Sequence, residues 1–289
     1  MKTKTLGSMV ALGLVGTAFG ACSQPKTDCQ VALASTNYSY AVKYTVKGSP
    51  SAACQALVKP GEMFGMEFYH PANSDGTSYD STKTTIAIQS EDLFRETKNR
   101  EPDEAHKPYG EGAFTTATPD ANNFCLANMT TSAQQDFPKQ DAMAGTGGDD
   151  PGTPALAARA VKYEWSNLKF FVTAAAPGTQ FSGDLKYTDT TDTGETCTIE
   201  YSTIGIWPAV GCAAYDADGN ITGPDDTLCN PCANPDAGIT IGSGISPDFP
   251  TRCDPDLLLC VLADAKDKTQ GATSIPQLLA TSVDCGPVD

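Results

Sequence analysis

A chain of 289 residues that carries eleven cysteines is constrained first by how those thiols can pair. Eleven cannot all form bridges within one molecule, so at least one stands apart. Cys22 is the one set apart by position, alone near the N-terminus and directly after Gly20-Ala21. The other ten are Cys29, Cys54, Cys125, Cys197, Cys212, Cys229, Cys232, Cys253, Cys260 and Cys285, an even set able to form five disulfides. Disulfides in this number require an oxidising compartment beyond the cytoplasm. Each contributes about 2–4 kcal/mol by restricting the unfolded chain, so a fold built on five of them depends on that compartment.

The first residues say how the chain would reach it. Met1-Lys2-Thr3-Lys4 forms a basic tip, Leu6 to Phe19 is uncharged, and Gly20-Ala21 supplies small residues before Cys22. This is the pattern of a secretory signal. The uncharged run falls short of the ~20 apolar residues that a helix needs to span a bilayer. Phe19-Gly20-Ala21-Cys22 resembles the lipobox of bacterial lipoproteins, with Phe19 where that family usually carries Leu, Val or Ile. The resemblance covers about the first 23 residues only. It implies a signal peptide over residues 1–21, lipidation at Cys22 by a diacylglycerol thioether and an N-acyl group, and a short tether over 22–28. The membrane is then a partner through the lipid anchor, far more firmly held than by a single acyl chain. Ser23 in place of Asp implies the outer membrane under the sorting rule of enteric bacteria. The alternative is ordinary cleavage after Ala18-Phe19-Gly20, which yields a secreted or periplasmic protein with Cys22 as a spare thiol.

Charge narrows the partners. Lys and Arg total 19 against 35 Asp and Glu, a net charge of -16 that becomes -18 once Lys2 and Lys4 leave with the signal. Such a surface excludes nucleic acid, whose phosphates need basic side chains. It also opposes lying flat on an anionic leaflet, and it favours solubility.

Most of the mature chain reads as strands. Tyr40, Val42, Tyr44 and Val46 alternate with Ala41, Lys43 and Thr45; Phe64, Met66 and Phe68 repeat the pattern, as do Ile86 and Ile88. Val161, Tyr163 and Trp165 alternate with Lys162 and Glu164, and a dense apolar run follows from Leu168 to Val172. Segments 181–187 and 197–207 continue the series, with Pro177-Gly178 and 189–194 as breaks. Six to nine strands at short spacing predict a mainly β fold, a β-sandwich or open barrel with short helices and a disulfide-rich, loop-rich C-terminal portion. One short helix is expected from Ser90 to Lys98, with Glu91 and Asp92 near its N-terminus. Thr131-Ser132-Ala133-Gln134 has the spacing of a capping box and predicts a second helical turn. The Gly- and Asp-rich stretch 138–154 is expected to be a long loop. Three of the ten cysteines precede it and seven follow, so a fully paired set sends at least one bridge across it. Residues 29–289 are therefore read as a single disulfide-tied domain. Connectivity does not follow from spacing, but two local pairs are geometrically plausible. Thr251 to Cys260 reads as a tight hairpin joining Cys253 to Cys260, and Cys197 faces Cys212 across the Trp207-Pro208 bend.

Catalytic signals are sparse. Cys229-Asn230-Pro231-Cys232 has the spacing of a redox dithiol, but the residues after it do not start the helix that would lower a thiol pKa. Cys229, Cys232, Cys253 and Cys260 can also be written as two zinc-ligand pairs, the second wider than a zinc knuckle. Asp216-Ala217-Asp218-Gly219-Asn220 has alternating carboxylates, but its glycine comes too early for an EF-hand and no Glu closes the loop, so a hairpin turn is the simpler expectation. His70 sits at a strand end, and His106 lies among Asp103, Glu104 and Lys107 as a solvated loop residue. No nucleophile elbow, zinc-protease helix, phosphate loop or dinucleotide fingerprint is present. The aromatic residues Tyr163, Trp165, Phe170, Phe171 and Trp207 fall in strand-like segments, as core or as a platform for a sugar or peptide. No catalytic residue, metal site or cofactor is expected. The reading is a non-enzymatic cell-envelope lipoprotein with a binding or structural role toward a protein or glycan. The alternative is an anchored or secreted enzyme, a hydrolase or a thiol oxidoreductase using Cys229 and Cys232.

Overall fold

The computed structural model describes residues 27–33, 39–80, 83–143, 152–235, 239–264, 271–272 and 285. The signal segment and Cys22 lie outside the described residues, as does the middle of the 138–154 loop.

The alternating segments become nine strands of one antiparallel sheet: β1 (Tyr40–Val46), β2 (Gly61–Tyr69), β3 (Thr85–Ser90), β4 (Gly110–Phe114), β5 (Phe124–Met129), β6 (Ala133–Phe137), β7 (Arg159–Val172), β8 (Pro177–Thr191) and β9 (Thr196–Ile206). The mainly β expectation holds, and the sheet takes the form of a ring. Each strand pairs with the next in sequence except β5, which skips β6 to pair with β7, and β9 returns to β1, with Ala41 opposite Ile206 and Val46 opposite Tyr201. β5 and β6 act as one interrupted strand along β7, where β5 pairs with residues 168–171 and β6 with residues 159–163. Among the nine, only β6 has a single partner strand. Closure leaves, among the described strands of this sheet, only the free side of β6 as an unpaired edge of the kind that invites association.

Side chains fill the inside of the ring. Tyr40, Phe64, Phe170 and Phe181 are fully buried there, with Trp165 edge-on to Phe64 at 4.7 Å between ring centres. Edge-to-face aromatic pairs of this kind add ~0.5–1.5 kcal/mol beyond their burial. The Leu168 to Val172 run has a local cause. A bulge between Ser166 and Lys169, with Asn167 at φ 53°, shifts the alternation of β7 by one residue. Val161, Tyr163 and Trp165 point inward before it, Leu168, Phe170 and Val172 after it. Phe171 points outward, yet it is buried too, because a second core covers that face.

That second core belongs to the C-terminal portion. β10 (Ala213–Tyr215) pairs with β11 (Ile221–Pro224), and β12 (Thr251–Asp254) with β13 (Leu259–Leu262). Their buried residues, with Ile245 and Phe249, pack on Ala41, Phe171, Ile204 and Ile206 from the outer face of the ring. Lys43 on β1 ties the two parts by an ion pair to Asp254 at 2.8 Å.

Five disulfides join Cys29 to Cys125, Cys54 to Cys197, Cys212 to Cys253, Cys229 to Cys260, and Cys232 to Cys285. One of them, Cys54–Cys197, crosses the 138–154 stretch. Both local pairings read from the sequence are wrong. Cys253 and Cys260 do face each other across the β12–β13 hairpin. Each bonds elsewhere, however, because Cys212 and Cys229 meet them from the loops packed against the hairpin. The capping-box expectation also fails: Ala133–Phe137 is strand β6, since its residues complete the ladder along β7. The expected helix is present as α1 (Glu91–Asn99), and the Ser90 side chain caps it by accepting from the Leu93 amide at 3.2 Å.

Candidate functional site

With its interior filled, the ring offers cavities at its two mouths, where small-molecule sites of closed β folds usually lie, and a further one on the outer face of β2–β4 beside Tyr69 and Glu111. One mouth is apolar. The segment Gln30 to Leu33 passes over it, held by the Cys29–Cys125 bridge and by the Ala32 amide donating to the Gly178 carbonyl at 3.2 Å. Gly178 must be glycine for this approach: its φ is +73°, and a Cβ would stand 2.1 Å from the Gln30 carbonyl oxygen. The buried Tyr40 hydroxyl fixes the same corner by donating to the Gly178 carbonyl at 2.5 Å.

The other mouth is polar. Lys59, α1 and the start of β7 enclose a cavity of about 440 Å³ lined by Lys59, Asp92, Arg95, Glu96, Arg100, Arg159 and Tyr163, with Leu93, Asn99, Leu156 and Val161 completing the wall. Four of these side chains are basic and two acidic, in a chain whose acids outnumber its bases 35 to 19.

Beneath Lys59 lies a buried carboxyl. Glu62 accepts from the Tyr44 hydroxyl at 2.5 Å, from Ser90 Oγ at 2.5 Å and from the Tyr163 hydroxyl at 3.4 Å. Burial raises its pKa above the usual carboxylate value, and nearby Asp92 adds to the shift. The Lys59 ammonium, 3.7 Å away, and the Ser90 and Tyr44 hydrogen bonds oppose it. Lys59 also donates to Asp92 and to the Tyr163 hydroxyl, both at 2.9 Å, and its ammonium sits 4.9 Å from the centre of the Tyr187 ring. Beside it, Arg159 grips the buried Asp189 through two guanidinium nitrogens, reaching 2.7 Å, and touches Glu96 at 3.3 Å. Asp189 draws the Arg159 pKa still higher, so this cation is permanent. The floor thus presents fixed donors and cations over a carboxyl that resists ionisation. Such a site can bind and orient a polar or anionic group; it offers no activated nucleophile.

Sequence reasoning missed this site. Lys59 and Glu62 lie together around the start of β2, Arg159 on β7 and Asp189 on β8, three separate segments, and no local motif marks them. The available signal was Glu62 on the face of β2 that Phe64, Met66 and Phe68 share, a polar residue at a position the alternation assigns to the core.

The residues that were singled out lie elsewhere. Cys229 and Cys232 do not bond each other, so the structure gives the thiol-oxidoreductase reading no CxxC disulfide to work with. The written zinc set is likewise consumed, since Cys229, Cys232, Cys253 and Cys260 are all disulfide-bonded. Asp216 spends its carboxylate on its own turn, accepting from the Asp218 and Asn220 amides at 2.9 and 2.8 Å, as expected for a hairpin turn. His70 Nδ1 lies 2.9 Å from the Lys83 carbonyl. His106 pairs with Asp103, which raises the imidazole pKa and lowers that of the carboxyl. Tyr163, Trp165, Phe170 and Phe171 are buried, so they form no platform, whereas Trp207 lines the apolar mouth.

Together these features define a disulfide-braced β-ring protein of the extracytoplasmic envelope, with a packed interior and two chemically opposite mouths. The chain belongs to the MlpA family, whose profile matches residues 38–208, the span of the closed ring. It is 28% identical over 236 residues to a Myxococcus xanthus protein named "Putative lipoprotein MlpA", covering 80% of this chain and 81% of that one. No solved structure matches the chain.

Proposed function

We propose that this chain is a non-enzymatic binding lipoprotein, anchored through Cys22 to the outer membrane, whose polar mouth takes a small organic anion, acidic sugars included. The carrying observation is the 440 Å³ cavity with its excess of basic side chains over a buried, hydrogen-bonded floor. In an acidic chain, an opening lined by four basic side chains against two acidic ones favours anions over cations. The name of the Myxococcus relative and the Gly20-Ala21-Cys22 sequence support the anchor. The Cys54–Cys197 bridge supports a single tied domain over residues 29–289, because it joins the two sides of the 138–154 stretch.

Two measurements test the reading. Mass spectrometry of membrane-extracted protein should find Cys22 acylated, with the other ten cysteines oxidised; an unmodified N-terminus rules the anchor out. Titration with glucuronate and with inorganic phosphate should raise the melting temperature of the wild type, and Arg95→Glu should abolish the effect. Arg95 is a rim residue with a side chain 61% exposed, so its reversal leaves the fold intact. Equal stabilisation of both proteins would dismiss the polar mouth as the binding site.

A further inference from the structure

The apolar mouth holds a second cavity, of about 550 Å³, walled by Val31, Leu33, Phe68, Pro177, Trp207 and Pro247. That volume lies within the range of small-molecule sites, ~300–1,000 Å³. Among the described residues no charged side chain lines it, so it lacks the cations that suit the other mouth to an anion. Leu33 on its rim is 62% exposed, an apolar side chain left facing solvent beside an apolar opening. Gln30, Ser246, the Trp207 indole and Thr179 are the polar groups in the lining; Thr179 is only 7% exposed, and its hydroxyl has no hydrogen-bond partner among the described residues. A buried hydroxyl without a partner destabilises the free protein, and a ligand carbonyl that the side chain turned to meet would relieve that.

We infer that this cavity binds a single long acyl chain, with the Thr179 hydroxyl donating to its carbonyl. The lining matches the chemistry: an unbranched hydrocarbon needs walls that are mostly apolar, and its polar end needs a donor that the protein leaves unused. Position supplies the second argument. Gln30 to Leu33 form part of the wall, and Cys22 lies seven residues before the Cys29 clamp. Fully extended, seven residues reach at most ~25 Å. On the anchor reading proposed above, on which this part of the argument rests, the cavity opens within a tether's length of the acylated cysteine and its membrane. The chain could therefore come from the Cys22 anchor itself or from a separate lipid, and the two sources can be told apart.

The probe is cis-parinaric acid, whose fluorescence rises on entering an apolar site. It is titrated into the mature chain carrying Cys22→Ser, exported behind a non-lipoprotein signal peptide. Saturable binding of one probe per chain, displaced by palmitate, is expected. Ala175→Trp fills the opening from an exposed position of the lining and should weaken binding at least about tenfold, equivalent to ~1.4 kcal/mol, with the melting temperature unchanged. The acylated wild type then identifies the source. Exclusion of the probe means that the anchor's own chain occupies the cavity, while uptake means that a separate lipid does. No uptake by the Cys22→Ser chain, or equal uptake by the Ala175→Trp variant, overturns the inference. An unacylated wild type would remove the anchor yet leave the acyl site standing on the Cys22→Ser titration alone.

Discussion

Glu62 shapes the polar mouth more than any other side chain. Its carboxyl is buried under Lys59, and burial is the largest influence on its proton. The pKa is raised in the folded state above the ordinary 4.5. As pH climbs from that value, the unfolded chain therefore releases its proton first. The folded state then binds more protons, and linkage makes stability fall with rising pH until the folded carboxyl has also ionised. Glu62→Gln removes the titration while keeping an acceptor for Tyr44. The stability difference between variant and wild type should shift in favour of the variant from about pH 4.5 upward and level off above the folded pKa. Urea unfolding between pH 4 and 8 measures it, and comparing the two proteins cancels the other carboxylates. A difference flat in pH would mean that the Lys59 charge fully offsets burial. At the opposite mouth, Thr179→Val replaces an unpartnered buried hydroxyl with a methyl of similar shape. The ligand-free protein should gain about 1 kcal/mol in denaturant unfolding, and parinarate affinity should fall. Such a combination separates a ligand-directed hydroxyl from one that is merely badly placed.

At the level of elements, the strands were legible because one face of each is in the packed interior of the ring, which stamps a period of two on the sequence. Tyr40, Val42 and Tyr44 on β1 and Ile86 and Ile88 on β3 carry that stamp and are buried as it requires. The helix was legible because Ser90 and the acidic residues after it are local signals. Features that depend on distant partners were not. The Thr131 to Gln134 spacing fits a helix start, but a free ladder position beside β7 decides for strand. Cys253 and Cys260 face each other across a hairpin, yet their bonds are set by loops elsewhere in the chain. The polar site was illegible for the same reason: Lys59 and Glu62 are sequence neighbours, but they meet Tyr163, Arg159 and Asp189 only through the strands of the folded ring. Close packing between neighbouring strands gives a prediction at this scale. A Cβ on Gly205 of β9 would stand 2.1 Å from Cε1 of Phe181 on β8, whose ring is fully buried. Gly205→Ala should therefore destabilise the ring by about 1–3 kcal/mol, read from the denaturant midpoint. A neutral result would mean that the Phe181 ring has room to turn aside.

For the whole molecule, the disulfides divide the labour. Three bridges lie in the C-terminal portion, whereas Cys29–Cys125 holds the N-terminal segment at the apolar mouth and Cys54–Cys197 braces the polar one. Cys54 lies in a short 3-10 turn just before Lys59, and Cys197 begins β9, so this bridge fixes the approach to the polar cavity across a sequence separation of 143 residues. Replacing both by serine should cost about 2–5 kcal/mol in unfolding free energy and weaken any ligand stabilisation that depends on Lys59. The same geometry orients the proposed lipoprotein. The tether enters at the apolar mouth, where β8 begins at Pro177, and β8 runs 15 residues to the polar mouth at Thr191. At ~3.3 Å per residue that strand is up to ~50 Å long before tilt is subtracted. A tether of at most ~25 Å keeps the apolar end near the membrane, while a ring standing along the bilayer normal carries the polar end away from it. With a net charge of -18 after signal removal, the ring also gains nothing by lying on an anionic leaflet. The apolar mouth should therefore face the bilayer and the polar mouth the solvent. In vesicles of brominated lipid carrying the acylated protein, a fluorophore at position 175 should be strongly quenched and one at position 95 hardly at all. Equal quenching at both positions would mean that the ring lies on its side, and the two mouths could not then serve membrane and solvent separately.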